Sequence, residues 1–149
     1  MKKPRILLAD DHPDMLSVLC DAFEDGLGEV VGVVRDGYAL VEAAQRLNPD
    51  VIIADISMPG LNGLDATRAL QTAVPQSKVI ILTVYREPVY VSLAFKAGAR
   101  GYILKRSAHY GELSQALRHV LAGERYYGEG VREDWAPVDG VAAPTGRPQ

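Results

Sequence analysis

Cysteine, long apolar runs and excess positive charge are all scarce in this sequence of 149 residues. The single cysteine, Cys20, excludes an internal disulfide and a zinc site built from several thiolates. No apolar run reaches the roughly 18 residues of a membrane-spanning helix. The run Ile6–Ala9, which follows the basic start, is too short for a secretory signal. We therefore expect a cytoplasmic protein with no membrane partner.

The charge balance argues against a dedicated nucleic-acid-binding protein. Sixteen basic and nineteen acidic side chains give a net charge of −3, whereas nucleic-acid-binding domains usually carry a basic footprint. Two common enzyme signatures, GxxxxGK[ST] and GxSxG, are also missing. With 48% apolar and 23% charged residues, the chain has the composition of a globular domain that can bury its own core.

Short apolar runs alternate with amphipathic stretches along most of the chain. Continuous apolar runs suit strands that are buried on both faces, and they predict strands near 6–9, 30–34, 51–54, 79–82 and 102–104. Apolar side chains at helical spacing predict helices over 13–26, 38–47, 64–73, 87–97 and 109–121. This order predicts a doubly wound α/β fold, (βα)5, with a five-stranded parallel sheet between helices.

Polar side chains follow four of the predicted strands at the point where each strand ends. They are Asp10 with Asp11, Asp55, Thr83 and Lys105. Because the carboxyl ends of parallel strands share one edge of a sheet, we expect these groups to converge there. Three carboxylates can stay ionised together around a hard cation such as Mg²⁺. With the lysine and the hydroxyl, such a site suits phosphoryl transfer with a carboxylate as the nucleophile.

Taken singly, these residues have simpler explanations. Asp10 and Asp11 could cap a helix that starts at Pro13, and Thr83 could be an ordinary strand residue. The matching strand-end positions of the acidic and basic residues favour a site over these alternatives. His12 lies beside the predicted site but shows no partner in the sequence, so we expect it to be structural or solvent-facing.

The strand-end residues resemble the motifs of receiver domains of two-component response regulators. The resemblance rests on five features in chain order: Asp10-Asp11, Asp55 followed by Met58-Pro59-Gly60, Thr83, Gly101-Tyr102, and Lys105. It covers Pro4 to Tyr127 and implies a receiver domain over residues 1–127 with a flavodoxin- or CheY-like fold. The stretches Asp11-His12-Pro13 and Ala122-Gly123-Glu124 are most similar to the NarL/LuxR-type subfamily.

The resemblance implies a role for each site residue. Asp55 would accept a phosphoryl group from a sensor histidine kinase. Lys105 would pair with that group, and Thr83 would hydrogen-bond one of its oxygens. Mg²⁺ would be the cofactor, and its ligands would come from Asp10, Asp11, Asp55 and the backbone carbonyl of Ser57.

The resemblance also implies a switch. The rotamer of Tyr102 would follow the state of Thr83, and Ser57 and Tyr85 would tune the rate of dephosphorylation. The domain would catalyse only its own phosphorylation and dephosphorylation, so it would not be an enzyme in the usual sense. Its output would be a protein-binding surface, either on the 87–97 helix and the fifth strand or on the first and last helices. The partner there could be a second copy, which would make a homodimer.

Residues 128–149 are rich in proline and glycine and predict a flexible linker or tail. In the NarL/LuxR-type subfamily a helix-turn-helix domain follows the receiver, but only 26 residues follow Gly123 here. We therefore expect no direct nucleic-acid binding by this chain, which would be either a stand-alone receiver or the receiver part of a transcriptional regulator.

Two other functions remain open on the sequence. A flavin-binding protein of the same fold would need a phosphate-cradling loop where Asp10 and Asp11 stand. A magnesium-dependent phosphatase using Asp55 would need a cap over its substrate.

Overall fold

A parallel sheet of six strands lies between two layers of helices in the computed structural model, which describes residues 2–137. The strands are β1 (Arg5–Ala9), β2 (Glu29–Val34), β3 (Val51–Ala54), β4 (Lys78–Thr83), β5 (Gly101–Leu104) and β6 (Tyr126–Tyr127). Their order across the sheet is β2-β1-β3-β4-β5-β6, and every pairing is parallel. This order confirms the predicted doubly wound fold.

Five helices connect the strands: α1 (Pro13–Ala22), α2 (Gly37–Leu47), α3 (Gly63–Ala73), α4 (Pro88–Ala97) and α5 (Tyr110–Leu121). Their ends follow local chemistry. The Asp36 side chain accepts a hydrogen bond from Ala39 N at 2.8 Å and caps α2. Gly98, at φ 115°, ends α4 in the left-handed conformation that glycine tolerates best. None of the helices within residues 2–137 has the length and apolar content to cross a bilayer.

The sheet is buried on both faces, which explains the continuous apolar runs in the sequence. Ile6 and Leu8 of β1 pack in the layer formed with α1 and α5, whereas Leu7 and Ala9 pack in the layer formed with α2, α3 and α4. Full burial of one such large side chain stabilises a fold by about 1.5–3 kcal/mol. Both faces of β1 are therefore buried between the two helix layers.

The prediction of five strands is wrong by one. The short strand β6 extends the sheet beyond β5, with Tyr126 paired to Gly101 and Tyr127 paired to Tyr102. Backbone hydrogen bonds fix its position, since Tyr126 N donates to Arg100 O at 2.8 Å. A strand of two residues has no periodic pattern, so apolar spacing in the sequence does not reveal it.

Residues 128–137, predicted to belong to a flexible tail, pack against the domain instead. Val131 and Ala136 are buried in the same apolar layer as α4, and Trp135 packs against that layer. Arg125 holds the end of this segment, because its Nη1 donates to Ala136 O at 2.6 Å while its guanidinium lies 4.7 Å from the centre of the Phe95 ring. The rest of the predicted tail, residues 138–149, lies outside the described residues.

Strand register brings the predicted site residues to one edge of the sheet. Ala9 of β1 pairs with Ala54 of β3, so Asp10 and Asp55 leave neighbouring strands side by side. Thr83, the last residue of β4, pairs with Leu104 of β5, and Lys105 follows directly.

Candidate functional site

Asp10, Asp55 and Lys105 form one cluster at the carboxyl edge of the sheet. The two carboxylates are each only 2% exposed, and the lysine side chain is 10% exposed. Lys105 Nζ lies 2.9 Å from Asp10 Oδ2 and 2.9 Å from Asp55 Oδ2. The ammonium therefore bridges the ends of β1 and β3, as the strand-end positions of these residues predict.

The carboxylates keep the bridging lysine charged. Burial alone would lower the pKa of Lys105, but its hydrogen bonds to Asp10 and Asp55 and the charges of both carboxylates raise that pKa above the usual value. Together with the neighbouring Asp11, three carboxylates face one ammonium. Two negative charges are left, which is the charge that a divalent cation neutralises.

His12, expected to be structural or solvent-facing, has a side chain that is 58% exposed, and its ring also contacts this cluster. Its Nδ1 lies 2.8 Å from Asp10 Oδ1, 3.1 Å from Asp11 Oδ1 and 3.6 Å from Asp55 Oδ2. The residue precedes α1 with an extended backbone and makes no side-chain cap, which leaves the ring free to turn back towards β1. The helix-capping alternative also fails for Asp10, because its Oδ1 accepts from His12 N at 2.9 Å.

Thr83, Tyr85 and Tyr102 form a connected path beside the cluster. The buried Thr83 Oγ1 accepts a hydrogen bond from Tyr85 N at 3.3 Å. Tyr102 OH donates to Tyr85 O at 2.6 Å from a fully buried ring. Burial, followed by the charges of Glu87 and Asp55, raises the pKa of Tyr102 far above its usual value, so the phenol stays protonated. The backbone of Tyr85 thus joins Thr83 to Tyr102, a link that no residue pattern in the sequence reveals.

An open pocket of about 400 Å³ borders the acidic cluster. Asp55, Ser57, Tyr85 and Lys105 line it together with the start of α1. Ser57 and Tyr85 therefore share this pocket with Asp55. The pocket is large enough for a phosphoryl group and attacking water.

Gly63 lets α3 begin directly behind Asp55. A Cβ at this position would overlap the backbone carbonyl of Asp55 and the Cα of Ile56. The Gly63 N–H donates to Ile56 O at 2.8 Å, so the helix start and the end of β3 are held together. The phosphoacceptor candidate therefore rests on rigid backbone.

The donor atoms of the cluster fit a divalent cation. Asp55 Oδ1 is buried without a hydrogen-bond partner within residues 2–137, and so is Asp11 Oδ1. A buried carboxylate oxygen without a partner is costly, and a cation would satisfy it. Asp10, Asp11, His12 and Asp55 each offer one ligand atom, and these four atoms lie within 4.8 Å of one another. Carboxylate oxygens suit Mg²⁺, which commonly takes one or two of them and keeps several waters.

The sequence profile of the response regulator receiver domain matches residues 6–118. Among curated proteins, response regulator GacA of Pseudomonas viridiflava is 38% identical over 136 residues, which are 89% of this chain and 62% of that protein. Transcriptional regulatory protein DesR of Bacillus subtilis is 40% identical over 131 residues, which are 87% of this chain and 64% of that protein. The chain therefore spans less than two thirds of the length of these relatives.

The fold has counterparts among solved structures. A LuxR-family two-component response regulator from Aurantimonas sp. SI85-9A1 superposes with a TM-score of 0.80 at 31% sequence identity. The superposition covers 86% of this chain and 91% of that chain.

Proposed function

The chain belongs to the response regulator receiver family, and we propose that it accepts a phosphoryl group on Asp55 and passes the event to a protein-binding surface. Receiver domains are signalling domains. The observation that carries the assignment to Asp55 is its position. The carboxylate is buried just after β3 and bound by Lys105 through Oδ2, and its Oδ1 has no hydrogen-bond partner in the described part of the chain.

The proposed reaction is a transfer from a phosphohistidine of a partner kinase. A carboxylate oxygen of Asp55 attacks phosphorus and forms an O–P bond. The P–N bond breaks, and the electron pair of that bond stays on the nitrogen of the departing imidazole. Lys105, already 2.9 Å from Asp55, neutralises negative charge on the transferred group as it arrives. The product is an acyl phosphate, which an attacking water later hydrolyses.

The cation site is part of the same proposal. Asp11 and Asp55 would hold Mg²⁺ directly, Asp10 would act through water, and the backbone carbonyl of Ser57 would complete the protein ligands. Bound there, the cation would supply charge neutralisation for the phosphoryl oxygens. The unpartnered oxygens of Asp11 and Asp55 support this arrangement.

The switch would run along the path through Tyr85. A phosphoryl oxygen on Asp55 attracts the Thr83 hydroxyl, which gives up its contact with Tyr85 N. The loop after β4 then moves, and with it the carbonyl that Tyr102 OH binds. Two discrete arrangements of Tyr102 follow from the two arrangements of this loop.

The surface next to that loop is apolar and exposed, which favours it as the output. Val84, Val89 and Leu93 are all exposed on the loop and on α4. Exposed Val18 and Leu121 make α1 and α5 the alternative face. A second copy of the chain is one partner that either face would accommodate. DesR is named a transcriptional regulatory protein. From the similarity to DesR, we propose that the signal from this domain controls transcription.

The two alternative functions are not favoured. The acidic pair Asp10 and Asp11 would repel the phosphate of a flavin, where a phosphate-cradling loop is needed. Within residues 2–137, no inserted element covers the pocket as a phosphatase cap would.

The test is phosphorylation by a small acyl phosphate donor in the presence of Mg²⁺, followed by intact mass measurement. The parent should gain one phosphoryl group that is labile to acid and base. Asp55→Asn should gain none, whereas Asp65→Asn, which alters an exposed carboxylate on α3, should behave like the parent. Full phosphorylation of Asp55→Asn would refute the assignment.

A further inference from the structure

A nitrogen donor stands among the carboxylates of the proposed cation site. His12 Nδ1 lies within 3.6 Å of an oxygen of each of Asp10, Asp11 and Asp55. The two shorter approaches differ in kind. The contact with Asp10 Oδ1 has hydrogen-bond geometry, whereas Asp11 Oδ1, at 3.1 Å, has no hydrogen-bond partner among residues 2–137. The nitrogen and that carboxylate oxygen thus lie 3.1 Å apart without a hydrogen bond between them.

The free oxygens point to the position of an ion. Lys105 binds Oδ2 of Asp10 and Oδ2 of Asp55, so the other oxygen of the buried Asp55 side chain has no partner within the described residues 2–137. Opposite ligands on one small divalent ion are about 4.2 Å apart, because each bond is about 2.1 Å long. The four candidate ligand atoms lie within 4.8 Å of one another, so small side-chain rotations bring them onto one ion.

The imidazole can present a lone pair to that ion. In the tautomer with the proton on Nε2, Nδ1 is an acceptor; it then gives up the hydrogen bond to Asp10 Oδ1, and Lys105 Nζ at 3.1 Å is placed to donate to it instead. A cation that enters the cluster replaces this ammonium as the partner of the lone pair. The His12 side chain is 58% exposed, so the ring can adjust without disturbing the core.

We infer that His12 is a ligand of the cation site and determines which cation the site prefers. Oxygen donors alone suit Mg²⁺, whereas an imidazole nitrogen suits ions such as Ni²⁺ and Zn²⁺. His12 therefore raises the affinity of the pocket for Ni²⁺ and Zn²⁺ relative to Mg²⁺. This inference rests on the proposed function, since it takes the site of Asp11 and Asp55 as the place where the cation binds.

The test compares the affinities of the untagged protein for Mg²⁺ and Ni²⁺ by titration calorimetry at one fixed pH. In His12→Asn, an amide oxygen replaces Nδ1 at nearly the same position. Its Mg²⁺ affinity should stay close to that of the parent, and its Ni²⁺ affinity should fall by about tenfold or more. His119→Gln, which removes an exposed imidazole on α5, should leave both affinities unchanged.

A spectroscopic measurement identifies the ligand atom itself. Addition of Zn²⁺ to ¹⁵N-labelled protein should shift the Nδ1 resonance of His12 and leave that of His119 in place. Equal losses of Mg²⁺ and Ni²⁺ affinity in His12→Asn, or no loss of either, would overturn the inference while leaving the cation site standing. Unchanged Mg²⁺ affinity in Asp11→Ala and Asp55→Asn would instead overturn the site on which the proposed function depends.

Discussion

Lys105 is the residue that makes the acidic cluster compatible with a folded protein. Its ammonium lies 2.9 Å from one oxygen of Asp10 and 2.9 Å from one oxygen of Asp55, and both carboxylates are buried. Removing one partner from such an arrangement leaves like charges facing each other in a site with little water. The lysine is therefore a structural counter-charge as well as a group placed to meet a phosphoryl oxygen.

We predict that Lys105→Met lowers the free energy of unfolding by about 3 kcal/mol without a divalent cation, because two buried carboxylates lose their partner. Added Mg²⁺ should restore more stability to this variant than to the parent, and the phosphorylated variant should respond weakly at Thr83 and Tyr102. Urea unfolding with and without Mg²⁺ measures the first effect. Lys96→Met, at an exposed position on α4, is the control. An equal stabilisation of both proteins by Mg²⁺ would contradict the prediction.

Ser57 and Tyr85 should set how long the phosphoryl group persists, because both line the pocket beside Asp55. Hydrolysis needs a water in line with the phosphorus. Tyr85 is held by stacking on Tyr90, with ring centres 4.5 Å apart, so its bulk shields one side of the pocket. We predict that Tyr85→Ala and Ser57→Asn change the decay rate of the phosphorylated protein without preventing phosphorylation. Decay rates equal to that of the parent in both variants would show that neither side chain controls water.

The sequence predicts some site residues and misses others for a physical reason. Asp10, Asp55 and Lys105 follow buried strands directly, so strand register alone brings them together. His12 lies two residues beyond Asp10 in the loop before α1, and its approach depends on dihedral angles that no periodic pattern encodes. The one feature of the sequence that indicates a role for His12 in the site is its position directly after Asp10 and Asp11.

At the scale of elements, the contact between α5 and β6 is built around a buried carboxylate. Glu112, in the first turn of α5, accepts from Tyr126 OH at 2.8 Å and from Glu129 N at 2.7 Å. Gly128 permits this close approach, since a Cβ there would come within 2.6 Å of Glu112 Oε2. One side chain of α5 therefore fixes both β6 and the segment that follows it.

This contact predicts a specific loss of stability at alkaline pH. Burial and the hydrogen bond to Glu112 raise the pKa of Tyr126 well above its usual value, while the unfolded chain releases that proton near pH 10. The contribution of Tyr126 is thus complete below about pH 10 and is lost as pH rises further. The pKa of Lys105 is also raised, so Lys105 contributes to the same fall in the free energy of unfolding at alkaline pH. This contribution is present in the parent and in variants of Tyr126 alike.

We predict that the free energy of unfolding falls less steeply above about pH 10 in Tyr126→Phe than in the parent. Denaturant titrations at a series of alkaline pH values measure the slope. Tyr38→Phe, at an exposed position on α2, should keep the slope of the parent. A common slope for all three proteins would show that the Tyr126 phenol titrates alike in the folded and unfolded chains.

Helices and long strands are predictable from this sequence because each repeats an apolar pattern over several residues. The last turn expected of the first helix departs from that pattern. Residues Phe23–Leu27 form a wider π turn, in which Gly26 adopts φ 110°. A single glycine in a sequence is compatible with a turn, a kink or a helix end. Tertiary packing decides between them, so the sequence alone does not predict this π turn.

At the scale of the whole molecule, phosphorylation of Asp55 should change the conformation of residues that do not touch the phosphoryl group. A differential of a few kcal/mol between two arrangements is enough to shift such an equilibrium decisively. We predict that a phosphoryl mimic changes the backbone amide shifts of Thr83, Tyr102 and α4, and that sedimentation reports any pairing of copies. Asp55→Asn with the same mimic is the control. An absence of change at these positions, with Asp55 occupied, would mean that the chain is not a switch of this kind.

The docking of residues 128–137 beside α4 also sets where any attached chain begins. The Arg125 guanidinium donates to Ala136 O and packs over the Phe95 ring of α4. The same side chain therefore contacts both the 128–137 segment and the proposed output helix. If α4 moved, residues 128–137 would detach from the domain. A flexible chain of these ten residues has a root-mean-square end-to-end distance of roughly 17 Å. The effective concentration of a tethered partner depends on such reach. Phosphorylation would then lengthen the flexible tether to such a partner, in addition to changing the surface of α4.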